Sequence, residues 1–442
     1  MKYNKVCKYL NSTLVFGIKP NLLRINKILN LLDDPHTKIN FIHIVGTNGK
    51  TSTTKITSAI LNAHGFSSGY YISPHVHSYT ERISIKGNDI SEEKFVKVFE
   101  DILPLIKEVN GMNLDGEMTQ FEILTAMMFK AAFEENLDVM VLEAGMGGRW
   151  DATNAAVSKV VGLTGVSLEH TQILGDTIAA IAKEKAEVIK DNSLVATSST
   201  DNVVLRILEN KKDDIRFDLY TIGKDFGFEN LKNKDIEGFI TDIKGIFDRY
   251  DNICFPLPGN YQQLNLCLAI ALSELFLHIF NKKLIAGEIN KGLHHTNITG
   301  RFQIMRKNPV FISDASHNPE GIRNLALNLN EYFNNKRKII IFSVLKDKNY
   351  KEMISSILPL SDLIILTSSH TERSLDINGL EKEVLKQIEK LKREGSAVPK
   401  FVYKIDSIEN SIKYSLKIAL KDDIICLTGS ITNLEFVKSK SF

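Results

Sequence analysis

A chain of 442 residues, 43% hydrophobic, 24% charged and 8% aromatic, has the composition of a globular protein with ample core, which excludes disorder, collagen-like repeats and a small disulfide scaffold. Lysine plus arginine total 55 against 53 acidic residues, and the net charge of +2 offers no global field to nucleic acid or an anionic membrane. Any phosphate binding has to be local.

The basic N-terminal stretch lacks a continuous apolar core, and no run of about 18 uncharged apolar residues follows, so neither a secretion signal nor a membrane span is expected. Cys7, Cys254, Cys267 and Cys426 form no paired metal knuckle and suit reduced thiols in a cytoplasmic protein. Apolar spacing predicts a helix over 21–32 and a buried strand from Ile39 to Val45, ended by Gly46. A helix from Lys50 to His64 and a short strand from Gly69 to Ile72 make a βαβ start. Helices over 92–109 and 120–135 precede the apolar run Asp138–Leu142, which fits a parallel strand covered on both faces. Strands at 157–164 and 194–196 flank a helix over 177–190. Across 211–256 the alternating runs FDLYTI and GFITDI predict a small antiparallel excursion.

A helix follows Gly259, and the polar segment GLHHTNITGR at 292–301 reads as an interdomain linker. Beyond it, strands at 310–313, 338–343, 362–367, 400–404 and 423–427 alternate with helical stretches, the pattern of a doubly wound parallel sheet. Both halves are therefore α/β, with ligands expected at strand C-termini facing a cleft.

The sharpest local signal is Gly46-Thr47-Asn48-Gly49-Lys50-Thr51-Ser52 between a strand and a helix. Glycines let backbone N–H groups close on phosphate oxygens, Lys50 reaches the terminal phosphates, and the Thr51 hydroxyl can ligate Mg²⁺. Ile44 stands where the common spacing has its first glycine, so the loop is a shorter variant; an ordinary glycine turn is the competing reading. Glu143, at the end of an apolar strand and followed by Gly145, Gly147 and Gly148, is placed to hold Mg²⁺ or to cap the next turn. Ser73 and His170 also follow strand ends and can complete that coordination. His75, His77, His294 and His295 read as structural or linker residues. Lys185, by composition alone, lies on a solvated helix face. In the second half Asp314 and His317 follow a strand, and Arg301 is a candidate phosphate clamp or a surface ion-pair partner.

The runs HIVGTNGKTS, SPHVHSYTERI, FEILTAMMF, EAGMGGRWDATN and LGDTIAAIAKEKAEVIK, then PGNYQQLN, TGRFQIM, SDASHNPEG, SVLKDKN and LTGS, stand in one order nearly end to end. Together they resemble the folylpolyglutamate synthase and dihydrofolate synthase family, within the Mur-ligase group of ATP-dependent amide ligases. The resemblance implies an N-terminal P-loop ATPase domain with a mostly parallel sheet, residues 1–296, and a C-terminal Rossmann-like domain binding glutamate, residues 297–442. It implies that Gly46, Thr47, Asn48, Gly49, Lys50, Thr51 and Ser52 bind ATP phosphates, with Asn265, Arg301 and Asp314 as further ATP contacts. Ser73, Glu143 and His170 would hold Mg²⁺, and a carbamylated Lys185 a second Mg²⁺. His317 would lie at the ligation centre, either positioning the nucleophile or stabilising developing charge.

Glu187 departs from the family's glycine and puts an anion near Lys185, where it either disfavours a carbamate or faces solvent. The implied reaction phosphorylates a folate or dihydropteroate carboxylate, and the amine of L-glutamate then displaces phosphate. A cytoplasmic monomer acting on small molecules, without nucleic acid or membrane, is expected. A Mur-type cell-wall ligase is the rival enzyme; the 45 residues before Gly46 are too few for its UDP-binding domain. A catalytically silent nucleotide-binding scaffold is the rival of another class, against which Lys50, Glu143, His170, Lys185 and His317 all stand.

Overall fold

The computed structural model describes residues 1–13, 21–294, 296, 298–369 and 371–437. His295, within the expected linker, lies outside the described residues. The chain forms two compact units. The first comprises Met1–Lys232, Ile240–Phe255 and Gln262–Asn297; the second comprises Asn233–Phe239, Pro256–Tyr261 and Ile298–Phe442.

In the first unit the strands are β1 Asn40–Val45, β2 Ser68–Tyr71, β3 Ile83–Ile85, β4 Asn88–Asp89, β5 Val139–Glu143, β6 Val160–Leu163, β7 Ser193–Thr197 and β8 Phe217–Thr221. They make one sheet in the order β4-β3-β2-β5-β1-β6-β7-β8, parallel from β2 to β8. Parallel strands need crossovers, here supplied by helices on both faces. The helices are α1 Tyr3–Ser12, α2 Leu23–Leu31, α3 Lys50–Ala63, α4 Glu92–Gly111, α5 Gln120–Glu134, α6 Thr171–Leu174, α7 Ile178–Ala186 and α8 Asn202–Lys211.

Alternation along β1 divides the packing: Phe41 meets Phe129 of α5 edge-on, with ring centroids 5.5 Å apart. α1, α2, α4 and α5 share that apolar cluster, whereas α7 and α8 pack with Val45, Val161 and Val195 in another. A buried bolt joins α2 to α5. Arg24 pairs with Glu122 at 3.0 Å and gives Nη1 to the carbonyls of Leu114 and Asp115, each at 2.9 Å.

Three more strands, β9 Gly227–Asn233, β10 Phe239–Lys244 and β11 Arg249–Phe255, form a small separate sheet, followed by α9 Tyr261–Ile279 and α10 Ala286–His294. FDLYTI does not belong to this excursion. It is β8, the parallel edge strand of the main sheet, because its register follows β7 residue for residue from Phe217 to Thr221. The expected linker at 292–301 is also partly helical, since α10 runs through His294. Among the described residues α9 alone is long and apolar enough to cross a membrane by length and composition, although Glu274 within it keeps it from being an uncharged apolar run. Its side chains from Asn265 to Leu277 are instead buried within the protein, with Leu272 seated over Gly162, where a Cβ would come within 2.7 Å of its Cδ1.

The second unit holds β12 Gln303–Lys307, β13 Val310–Ser313, β14 Lys338–Phe342, β15 Leu363–Leu366, β16 Phe401–Lys404 and β17 Ile424–Thr428, ordered β12-β13-β17-β14-β15-β16. All pairs are parallel except the antiparallel edge of β12 on β13. The helices α11 Pro319–Phe333, α12 Tyr350–Ile357, α13 Ile377–Arg393 and α14 Ile408–Ile418 connect these strands, and the doubly wound expectation holds.

Candidate active site

β1 ends at the loop 46–49, and α3 begins at Lys50, so the first backbone N–H groups of the helix face the end of the sheet. Gly46 and Gly49 have φ of +145° and +90°. A side chain would also collide there, with Thr164 at Gly46 and with Asn265 at Gly49, where an added Cβ would come within 2.4 Å of Oδ1. Thr47 fixes the loop to the segment after β6, its N–H donating to Gly165 O at 2.8 Å and its Oγ1 accepting from Ser167 N–H at 3.0 Å. The Ser52 hydroxyl is buried and has no partner among the described residues. A rigid, glycine-lined turn with an unused hydroxyl at a helix start fits a phosphate chain.

Two lysines donate to carbonyls of this loop. Lys50 Nζ reaches Thr47 O at 3.0 Å, and Lys185 Nζ reaches Gly46 O at 2.6 Å. Lys185 is 5% exposed, which overturns the solvated-face reading from composition. The Gly145–Gly148 loop allows that burial: a Cβ on Gly148 would strike the backbone of Glu184 and Lys185. Burial, and then repulsion from Lys50, bring the Lys185 ammonium down to about 7, against the opposing pull of Glu169, Asp151 and Glu184. Glu187 takes no part, because it pairs with Lys211 at 2.9 Å and Arg149 at 3.6 Å.

Glu143 is buried at the end of β5, accepting from Thr51 Oγ1 at 3.0 Å on both oxygens and from Ser73 N–H at 3.4 Å. The structure thus joins the phosphate loop, Thr51, Glu143, Ser73, Lys185 and Asn265 in one corner of the first unit. His170 immediately precedes α6 with φ of +52°, its Nε2 3.9 Å from Glu169. Among the described residues no three His, Cys, Asp or Glu side chains gather as a metal cage. One carboxylate beside the Thr51 hydroxyl is instead the sparse, hard-oxygen set on which Mg²⁺ keeps waters and takes phosphate oxygens.

Arg301, Asp314 and His317 lie in the second unit. Buried Asp314 accepts the N–H of Phe302 and of Ser316, each at 2.9 Å, holding the turn that carries Arg301 against the end of β13. His317 Nδ1 lies 2.9 Å from Ala315 O, which fixes the proton on Nδ1 and makes Nε2 the basic nitrogen. Tyr261, which motif reading passed over, buries a phenol in the fields of Asp314 and Arg301 with no hydrogen-bond partner among the described residues.

Residues 44–273 match the Mur ligase middle domain, and residues 300–431 match the Mur ligase, glutamate ligase domain. The chain is 34% identical to a dihydrofolate synthase/folylpolyglutamate synthase of Mycobacterium tuberculosis, over 82% of this chain and 77% of that protein. It belongs to the folylpolyglutamate synthase/dihydrofolate synthase family of Mur ligases. A second member, from Bacillus subtilis, is 29% identical over 99% of both chains. The structure of the Mycobacterium tuberculosis folylpolyglutamate synthase complexed with ADP superposes with a TM-score of 0.91 at 29% identity, covering 98% of this chain and 96% of that one. The family reading and the mixed α/β architecture expected from the motifs therefore stand.

Proposed function

We propose that this chain is an ATP-dependent ligase that joins L-glutamate to the carboxylate of folate or dihydropteroate through an acyl phosphate. The observation that carries this reading is the corner where the phosphate loop, the Thr51–Glu143 pair and buried Lys185 meet, in a chain of this family. The N–H groups of residues 46–52 and Lys50 hold the nucleotide phosphates, and Lys50 leaves Thr47 O as the phosphates arrive. Asn265 and, in the second unit, Arg301 and Asp314 are the further nucleotide contacts.

Glu143, Thr51, Ser73 and His170 are the groups that would hold Mg²⁺, which supplies charge neutralisation between two anions that otherwise repel. Lys185, with an amine half neutral near pH 7, is chemically able to take up CO₂ and become an anion suited to a second Mg²⁺. His317, basic at Nε2, accepts a hydrogen bond from the incoming amine of glutamate and so presents its lone pair to the acyl carbon. We further propose the domain limits 1–296 and 297–442 and a cytoplasmic monomer.

The test is phosphate release with Mg-ATP, L-glutamate and each acceptor in turn, combined with mass spectrometry of the acceptor. A mass gain of one or more glutamyl residues, dependent on all three substrates, is the expected result. ATP turnover indifferent to both acceptors would overturn the reading.

A further inference from the structure

Arg82 is a buried cation that the protein itself does not balance. It is 7% exposed, at the start of the edge hairpin β3–β4. Its Nε donates to His75 Nδ1 at 2.8 Å, and a ring nitrogen that accepts from a guanidinium carries no proton, so His75 offers a lone pair and no negative charge. Tyr79 presents its ring 5.4 Å from the guanidinium carbon. Among the described residues no carboxylate lies within ion-pair distance of Arg82, and neither Nη makes a hydrogen bond.

The anions whose fields reach it, Glu143 and Glu81, are already engaged. Glu81 accepts the N–H groups of Val76, His77 and Ser78, and Glu143 accepts from Thr51 and Ser73. Removing a charge from water without a partner is costly, so such a group is retained where a ligand brings the counter-charge.

The position selects the ligand. Arg82 O accepts Ile72 N–H at 3.0 Å, one residue before Ser73 meets Glu143, so the guanidinium is anchored beside the carboxylate end of the corner. Nucleotide phosphates have their own donors at 46–52. The remaining anion is the carboxylate to be phosphorylated, whose two oxygens match a planar N–H fork. We propose that the Nη edge of Arg82 binds the acceptor's reacting carboxylate. This rests on the ligase reading above and adds to it a substrate-binding residue.

The experiment is a cycle in calorimetry, with dihydropteroate and its carboxamide binding to the wild type and to Arg82→Gln, each with Mg²⁺ and a non-hydrolysable ATP analogue. The wild type is expected to prefer the carboxylate by about 30-fold or more, and Arg82→Gln to lose most of that preference while binding the ATP analogue normally. Arg82→Lys keeps the charge without the fork and recovers part of it. Full retention of the preference in Arg82→Gln overturns the proposal. If Arg82→Gln fails to fold, Arg82→Lys and the wild-type carboxylate preference decide: equal binding of acid and amide by the wild type, or an unchanged preference in Arg82→Lys, refutes it. If the wild type binds neither compound, the same cycle is run with a reduced folate and its γ-carboxamide, and a wild type that binds none of the four refutes the ligase reading and this inference together.

Discussion

Arg24 and Arg82 are both buried in the first unit, and their surroundings are opposites. Arg24 meets Glu122 and two backbone carbonyls, whereas Arg82 meets a neutral histidine and an aromatic ring. The first region is an electrically closed joint between helices. The second belongs to a corner where Lys50 and Lys185 likewise end on backbone carbonyls and not on carboxylates. Burial with charge balance marks architecture here, and burial with surplus positive charge marks the place where anionic substrates arrive.

The comparison breaks first at Lys50. Lys50→Ala is expected to lower kcat by about 10⁴-fold, roughly 5 kcal/mol of transition-state stabilisation, by analogy with other cations that act on a transferring phosphoryl group. Thermal unfolding should not move, because the side chain gives up only one bond to Thr47 O. Steady-state kinetics beside a melting curve decide it; normal turnover would remove the phosphate-loop assignment. Arg24→Met should do the reverse. It leaves Glu122 buried and unpaired, at a cost of about 3–5 kcal/mol in unfolding free energy. The surviving folded enzyme should keep its kcat, and denaturant titration with active-site-normalised rates separates the two effects.

A smaller effect is expected at the loop itself. Gly49→Ala places a Cβ at φ of +90° and against Asn265, so the KM for ATP should rise about tenfold, with a small change in the acceptor KM. An acceptor KM that rises equally would mean that the loop serves the whole corner and not the phosphates alone.

The strands were largely legible because parallel strands buried on two faces read as continuous apolar runs: Val310–Ser313 is found as expected, and Asp138–Leu142 is displaced by one residue. FDLYTI reads as antiparallel because an edge strand half open to solvent alternates like one, and the polar, turn-like composition of 292–294 conceals the end of α10. At the corner, motif order brought Lys50, Glu143 and Lys185 into view, but no periodicity tells that Lys185 is buried. That follows from Gly148 admitting the helix backbone at close range. Arg82 stands within SPHVHSYTERI, and nothing in that run reveals its role, because the missing partner of a cation is a property of the fold alone.

The finest distinction between the two regions lies in proton binding at Lys185. Its amine is brought down to about 7 when folded, against an ordinary lysine in the unfolded chain. Below that value both states bind the proton and the burial penalty is fully present. Between about 7 and the unfolded value only the unfolded chain binds it, so stability rises with pH across this window, and Lys185→Met should abolish that slope. The same depression sets the chemistry. Enzyme stripped of CO₂ should regain activity, on return of CO₂ at fixed pressure, at a rate proportional to the neutral amine, falling only about twofold from pH 8 to pH 7 and steeply below. A surface-like lysine would give about a tenfold fall per pH unit over the whole range, and that slope would place Lys185 among ordinary cations instead of in the substrate corner.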